Sequence, residues 1–272
     1  MVKIETRYWH IEAAGGIDLF RAFNFNHQFK HHFHEEWVIA IYEGGTEHCK
    51  IGNVERFTQR GDIHLIPPMC SHSGGPVDDE GWSYRTFYPS QTLIDEILGH
   101  SNKWPSTPTF YRSSAVWEKL RDLHILIEQE QTAEISEEAI ISVIQTIESE
   151  LLNSRNPNPT QTEELKEPLL AKKVRDFIDL NYEENLSITK IAADFKCSSA
   201  HLVRTFSSYF GIAPHAYMVQ LRILKAKYAL KKGATSVEAA IDAGFSDQPH
   251  MIRHFRRMFG VTPGHYIKNV QY

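Results

Sequence analysis

Residues 187–217 read SITKIAADFKCSSAHLVRTFSSYFGIAPHAY and residues 236–266 read SVEAAIDAGFSDQPHMIRHFRRMFGVTPGHY, so one pattern occurs twice in the chain. A constant offset of 49 residues overlays the two copies without a gap. The matched positions are His201 and His250, Arg204 and Arg253, Phe206 and Phe255, Phe210 and Phe259, Gly211 and Gly260, Pro214 and Pro263, and Tyr217 and Tyr266. A repeat at fixed spacing guides the architecture, and two copies are too few for a solenoid. The stretch therefore predicts two related helical modules.

Each copy begins with a short helix followed by a tight turn. The first helices are predicted at 187–194 and 236–243, and we expect Ser187 and Ser236 to cap them. In the second copy, Gly244 can adopt the positive φ that a sharp bend needs.

The second helix of each copy has its own boundary signals. It is predicted to begin at Ser198 or Ser199 in one copy and at Asp247 in the other, and to end at Gly211 and Gly260, where glycine suits a left-handed cap. Helix, short turn and helix form the helix-turn-helix motif, whose second helix lies in the DNA major groove.

The second helices have an apolar face and a polar face. On the face opposite the apolar stripe, the residues that we expect to contact DNA are Ser199, Ala200, His201, Arg204 and Ser208 in one copy, and Gln248, His250, Arg253, His254 and Arg257 in the other. Arginine bonds bidentately to guanine and glutamine to adenine, whereas serine is permissive. One such helix alone would be read as an ordinary solvated face. Its repetition with the same turn pattern favours DNA recognition.

The segment Ala213–Lys232 lies between the two modules and predicts one continuous helix. About 18 helical residues span about 27 Å. A strut of that length can hold two recognition helices near one duplex turn apart, about 34 Å, so that both enter successive major grooves.

The first 100 residues have the pattern of a β-domain. Short aromatic or β-branched runs predict strands at Ile17–Phe25, Trp37–Tyr42, Thr46–Ile51, Asp62–Pro67 and Trp82–Pro89. Turn signals separate them at Glu43–Gly45, Gly52–Asn53, Arg60–Gly61 and Ser73–Pro76. Short strands at this spacing favour a small barrel or jelly roll, which can enclose one ligand.

Two histidine segments resemble the motifs of the cupin family. Gly61, Pro67 and His72 have the spacing of the second cupin motif, and His32-x-His34 resembles the start of the first. Two departures stand against the metal site of that family. Val38 and Ile39 occupy the places where its glutamate is expected, and Pro68 replaces the glycine after the second-motif proline. The resemblance implies a cupin-like barrel, with no metal or other cofactor expected.

The same histidines allow three interpretations of their role. His32, His34 and His72 could bind a transition metal, contact a small polar effector, or lie at the barrel mouth without a ligand. We favour the effector. Alternation along the strand is expected to place Glu36 on the same side, and Trp82 and Tyr84 share one face of a later strand, so these three complete the candidate effector set.

Apolar residues recur at helical spacing after the β-domain. Residues 113–152 carry the stripes Val116, Leu120, Leu123 and Ile127, then Ile140, Ile144, Ile147 and Leu151, which predict a helical hairpin. The hairpin either covers the barrel or packs against the same hairpin of a second chain in a dimer.

Residues 153–168, with three prolines, predict a linker. The boundaries are therefore a domain at 1–152, a linker at 153–168 and a DNA-binding domain at 169–272.

Residues 169–270 resemble the DNA-binding domain of the AraC/XylS family of bacterial transcription regulators. Phe255–Tyr266 is similar to the signature of that family, and so is Ala239–Phe245. The resemblance implies bipartite promoter binding, usually activation with RNA polymerase as partner, and a homodimer formed through the hairpin.

Composition and charge agree with these expectations. From Leu169 onward there are 15 Lys/Arg and eight Asp/Glu, a net charge of +7, whereas the preceding residues carry 14 and 26, a net charge of −12. A basic C-terminal part suits a polyanion. Three scattered cysteines predict a reducing cytoplasm. Neither a signal peptide at the N-terminus nor a membrane span is expected.

The sequence thus predicts a two-domain α+β protein. A cupin-like β-barrel with a helical hairpin precedes an all-α, homeodomain-like tandem helix-turn-helix domain. The expected function is a cytoplasmic, non-enzymatic, effector-responsive transcription activator that binds double-stranded DNA and a small molecule. Two alternatives stay open: a metal-dependent cupin enzyme fused to a DNA-binding domain, and a ligand-independent regulator whose barrel only dimerises.

Overall fold

The computed structural model describes residues 4–12, 15–51, 54–99, 104–129, 132–153, 169–184 and 186–270. The chain divides into two compact units. The sheet unit comprises Met1–Gln28, His34–Cys70 and Gly74–Thr162, and the helical unit comprises Phe29–Phe33, Ser71–Ser73 and Glu163–Tyr272. The predicted linker falls almost wholly on residues 154–168, which lie outside the described residues.

Ten strands of the described ranges form two sheets. Their bounds are β1 Glu5–Ile11, β2 Ile17–Phe25, β3 Phe29–His32, β4 Val38–Gly44, β5 Glu47–Ile51, β6 Val54–Thr58, β7 Asp62–Ile66, β8 His72–Pro76, β9 Trp82–Tyr88 and β10 Thr109–Arg112. The six-stranded sheet has the order β1-β2-β9-β4-β7-β10, and the four-stranded sheet has the order β3-β8-β5-β6. All five predicted strands are present, within two residues at each end.

Two sequence interpretations in this region were wrong. Residues 73–76 belong to strand β8 rather than to a turn, and packing accounts for one of the glycines, because a Cβ at Gly74 would overlap the Glu47 carboxylate. Glu36 does not continue the strand of His32, since β3 ends at His32 and β4 begins only at Val38. A bend separates the two strands, so alternation cannot assign the face of Glu36.

Three helices cover one face of the six-stranded sheet: α1 Gln91–Leu98, α2 Ser114–Gln129 and α3 Ala133–Asn153. Their buried residues form one core with every second residue of the central strands, including Ile39, Ile41 and Leu65. The predicted helical hairpin is confirmed. Its two stripes lie in this intramolecular core, so the hairpin covers the sheet.

A buried ion network joins the same sheet face to the hairpin. Arg85 Nε donates to Glu43 Oε2 at 3.0 Å, and Arg85 Nη1 donates to Glu128 Oε2 at 2.8 Å. His124 of α2 is fully buried beside Arg85, with its Nδ1 3.1 Å from Nη1. Burial and the Arg85 charge lower the pKa of His124, so its ring is neutral.

Seven helices lie in the described part of the helical unit: α4 Leu169–Asn181, α5 Ile188–Asp194, α6 Ser199–Phe210, α7 Pro214–Lys231, α8 Ser236–Asp242, α9 Gln248–Phe259 and α10 Pro263–Val270. Within the described residues, no helix combines the length and apolar character needed to cross a bilayer. The pairs α5–α6 and α8–α9 are the two predicted helix-turn-helix modules.

The gapless overlay of the two modules was wrong for their first helices. Helices α6 and α9 are related by 49 residues, but α5 and α8 are related by 48, because the second turn contains one more residue. The caps show the same shift: Ser187 caps α5, whereas Thr235, not Ser236, caps α8 in a capping box with Glu238. The left-handed turn residues, Lys196 and Gly244, also differ by 48.

This cap assignment predicts a sharp difference between neighbouring substitutions. Thr235→Ala should lower the free energy of unfolding by about 0.5–2 kcal/mol, because a backbone N–H of α8 loses its acceptor. Ser236→Ala, already inside the helix, should leave stability nearly unchanged. Urea unfolding of the full chain, followed by circular dichroism, measures both. An equal loss for Ser236→Ala would contradict the assignment.

Candidate nucleic-acid interface and ligand sites

Helix α6 presents the first set of predicted DNA-contacting residues. Ser198 caps it by accepting from the His201 backbone N–H at 3.2 Å, and Gly211 ends it with φ of 68°. Leu202 and Phe206 are buried on its inner face. The outer face carries Ala200, His201, Arg204 and Ser208, all exposed, and Ser199, which is half-buried.

Helix α9 presents the second set. Asp247 caps it by accepting from the His250 backbone N–H at 2.6 Å. Arg253 and Arg257 are exposed, whereas Gln248, His250 and His254 are half-buried. The Nε2 atoms of His250 and His254 lie 3.0 Å apart. Burial, followed by the charges of His250 and Arg257, lowers the pKa of His254 to about 4, so His254 is neutral at pH 7.

The two modules repeat in three dimensions as well as in sequence. The ring of Phe206 lies 5.5 Å from that of Tyr217, and the ring of Phe255 lies 5.6 Å from that of Tyr266. Both pairs are edge-to-face. Each therefore locks a recognition helix to the helix that follows it through the same aromatic contact.

The helical unit contains a cavity of about 220 Å³ between β3, α7 and α9. Val219, Ile223 and Met258 give it an apolar wall, and its polar lining comprises Lys30, His31, His32, His215, Gln220, His254 and Arg257. The Gln220 side chain holds β3 beside α7: its Nε2 donates to His31 O at 2.7 Å, and its Oε1 accepts from the Phe33 N–H at 3.2 Å. Except for His32, His254 and Arg257, sequence reasoning missed this polar set, because its members lie far apart along the chain.

The predicted effector residues are distributed over both units of the chain. His32 and His72 belong to the helical unit, where their rings lie 4.3 Å apart. His34 belongs to the sheet unit and its ring lies 5.0 Å from that of Tyr88. Glu36 is half-buried.

Trp82 and Tyr84 share a face of β9, as expected, with rings 4.2 Å apart. Both rings also contact Tyr42 of β4, at 6.0 and 6.2 Å. All three side chains are buried in the sheet unit. They therefore form part of its interior rather than an open ligand platform.

A buried polar cluster next to these rings was not anticipated. Glu47 and Cys49 of β5 and His64 of β7 each place a donor atom within 4.8 Å of the other two. Thr58 Oγ1 donates to Glu47 Oε2 at 2.8 Å, and Tyr42 Oη lies 3.1 Å from His64 Nδ1. The sequence of β5 carries the two-residue spacing of Glu47 and Cys49, and the structure shows that both are buried while His48 between them is exposed.

Burial dominates the electrostatics of this cluster. Desolvation raises the pKa of Glu47 to about 7, although hydrogen bonds from Thr58 and Tyr42 act in the opposite direction. Desolvation and the neighbouring Glu47 raise the pKa of Cys49 well above its ordinary value. The Glu47 carboxyl has no salt-bridge partner among the residues that the structure describes.

Two helix-turn-helix modules joined by one helix, together with a sheet-rich unit, define the class of DNA-binding transcription regulators. Comparison with known families agrees. A model described as an AraC-like ligand binding domain matches residues 14–144, and a helix-turn-helix domain model matches residues 191–269.

The relatives extend this agreement to most of the chain. It is 30% identical over 256 residues to YbfI of Bacillus subtilis, an uncharacterized HTH-type transcriptional regulator, covering 91% of this chain and 90% of YbfI. It is 38% identical over 87 residues to the regulator MtrA of Neisseria gonorrhoeae, covering 32% and 29% of the two chains. The chain belongs to the AraC family of transcriptional regulators.

A solved structure shares the whole fold. Unsaturated fatty acid bound wild-type ToxT from Vibrio cholerae matches 100% of this chain and 97% of its own, with a TM-score of 0.53 and 14% identity. At that identity the likeness concerns the fold alone. It covers both the sheet-rich N-terminal part and the helical C-terminal part, which confirms the predicted fold class.

Proposed function

We propose that this transcription regulator inserts α6 and α9 into successive major grooves of its operator and acts as an effector-responsive activator. The observation that carries the proposal is the pair of polar helix faces, each fixed by the same aromatic lock and separated by α7. This helix has 18 residues and therefore extends for about 27 Å. The net charge of +7 from Leu169 onward supports attraction to DNA.

Arg204 and Arg253 test the recognition helices because they occupy equivalent exposed positions. After the operator is selected from genomic fragments, Arg204→Ala and Arg253→Ala should each weaken its binding by about 1–3 kcal/mol, and relax preference at one base pair, if they contact guanine. Electrophoretic mobility shifts at several salt concentrations measure the affinity. A contact with phosphate alone would instead reduce the salt dependence and preserve sequence preference.

Lys173→Ala is the matched control, since it removes an exposed charge from α4, outside both modules. It should change specific binding less than either arginine substitution. If all three variants bind the operator like the unaltered protein, α6 and α9 are not its recognition helices.

The effector proposal concerns the cavity of the helical unit. Lys30 and Arg257 supply positive charge, and the Val219, Ile223 and Met258 wall is apolar, so the lining suits a small carboxylate with a short apolar body. The volume of about 220 Å³ favours a ligand smaller than a drug-sized molecule. The unsaturated fatty acid bound to ToxT supports this ligand class, since both proteins share the fold.

A series of short alkanoates and aryl carboxylates, each paired with its primary amide, tests the ligand class by calorimetry. We expect carboxylates to bind and amides not to bind. Lys30→Met should weaken carboxylate binding at least about tenfold, or about 1.4 kcal/mol, because a charged hydrogen bond is lost. Lys50→Met, on β5 of the sheet unit, is the control. Equal binding of acid and amide, or an unaffected Lys30→Met variant, would refute the carboxylate site.

Homodimerisation and contact with RNA polymerase remain proposals that rest on the family. The hairpin stripes are buried against the sheet, so a dimer formed through the hairpin would use its outer surface, where Leu126 and Ile135 are exposed. Membership of a regulator family supports regulation over the enzymatic alternative that His32, His34 and His72 suggested.

A further inference from the structure

The interior of the sheet unit brings together three side chains of the kinds that bind transition metals. Glu47 and Cys49 are two residues apart on β5 and therefore point to the same face. His64 reaches them from β7. A carboxylate oxygen, a thiol sulfur and an imidazole nitrogen thus lie within 4.8 Å of one another, and all three residues are buried.

The surroundings of Glu47 make a purely structural explanation less favourable. A buried carboxyl group is normally compensated by a charged partner or by a full set of hydrogen bonds. Thr58 donates to Oε2 and Tyr42 also hydrogen-bonds to the carboxyl, but no basic side chain among the described residues forms an ion pair with it. Strand β8 leaves room for it only because residue 74 is glycine. The glycine at position 74 therefore accommodates the buried carboxyl group of Glu47.

We propose that Glu47, Cys49 and His64 bind one divalent transition-metal ion inside the sheet unit, zinc or an ion of similar softness. Mixed oxygen, sulfur and nitrogen donors suit zinc and exclude a preference for magnesium or calcium, which favour oxygen alone. Three protein ligands leave a fourth position for a water or a ligand group. The ion displaces the thiol proton and the carboxyl proton to solvent, so two anionic ligands and the dication are neutral together.

The geometry needs little adjustment to reach coordination. Zinc bonds of about 2.0–2.3 Å place tetrahedral ligand atoms roughly 3.3–3.8 Å apart. Donors that already lie within 4.8 Å reach this spacing by side-chain movements of about 1 Å. Tyr42 Oη, 3.1 Å from His64 Nδ1, occupies the place of the outer hydrogen-bond partner that metal-bound histidines usually have. This leaves Nε2 for the ion.

Cobalt titration of the full-length protein tests the site directly. The protein is purified with reductant, stripped with chelator and titrated with Co²⁺ in place of Zn²⁺. We expect one ion per chain and a near-ultraviolet thiolate-to-cobalt charge-transfer band, which zinc then displaces. Cys49→Ser should abolish the band, and His64→Gln and Glu47→Gln should each weaken cobalt binding at least about tenfold.

The controls are taken from the same strand and from outside the cluster. His48→Ala alters the exposed face of β5 between the two proposed ligands, and Cys197→Ser removes a thiol of the helical unit. Both variants should bind cobalt like the unaltered protein. Circular dichroism identifies any variant that does not fold. Cobalt binding by the unaltered protein tests the site even if a variant fails to fold.

Two results would overturn the proposal. One is failure of the folded, unaltered protein to bind Co²⁺ or Zn²⁺. The other is binding that survives Cys49→Ser but is lost in His72→Ala, which would assign the ion to the histidines predicted from the cupin resemblance. Neither result depends on operator binding, so the metal site and the proposed DNA recognition succeed or fail separately.

Discussion

Burial of both faces of the six-stranded sheet is the constraint on which the sheet unit depends. Successive side chains of its central strands point to opposite faces, and the two faces differ in composition. Ile39 lies opposite Phe87 and Leu65 on the face covered by the hairpin, whereas Ala40 lies opposite Thr86 and His64 on the other. A slip of one residue in register would exchange these faces and place His64 in the aliphatic core. The sheet register therefore also fixes the position of the polar interior.

The two faces accommodate polar groups differently. On the hairpin face, Arg85 pairs with Glu43 and Glu128, and these two carboxylates also pair with Arg121 and Arg21, so each buried charge is compensated by more than one partner. In the interior, Glu47 has no such ion pair within the described ranges, and burial raises the pKa of Glu47, Cys49 and Tyr42 alike. Burial thus favours the neutral form of each of these groups.

The helices of the helical unit could be predicted from local sequence signals. The strands of the sheet unit depend instead on partners that are distant in sequence. Helices α5, α6, α8 and α9 carry caps, glycine stops and apolar stripes within a few residues of each other. The one error there came from letting the strong match of α6 and α9 fix the offset of the whole module. Strand β8, HSGGP, reads as a turn because its stability comes from partners remote in sequence.

The candidate sites could likewise be predicted only where their residues lie close together in sequence. The faces of α6 and α9 could be read from helical periodicity, because each lies on one element. The cavity required the Gln220 contacts between β3 and α7, which no spacing encodes. Glu47 and Cys49 alternate correctly within β5, but a strand written EHCKI resembles an exposed edge, and only the structure shows which side is buried.

His254 and Arg257 connect recognition with the cavity inside the helical unit. Both belong to the predicted DNA-contacting set of α9, and both line the cavity. An anion held there would engage the Arg257 guanidinium and reduce what α9 offers to a phosphate, or it would fix the side chain in a position that favours the duplex. In either case the ligand can act only through its different affinity for the free and DNA-bound forms. By linkage, the operator must then change ligand affinity by the same factor. A side chain shared by the two proposed sites would provide that coupling without a long pathway, because one guanidinium would be common to both equilibria.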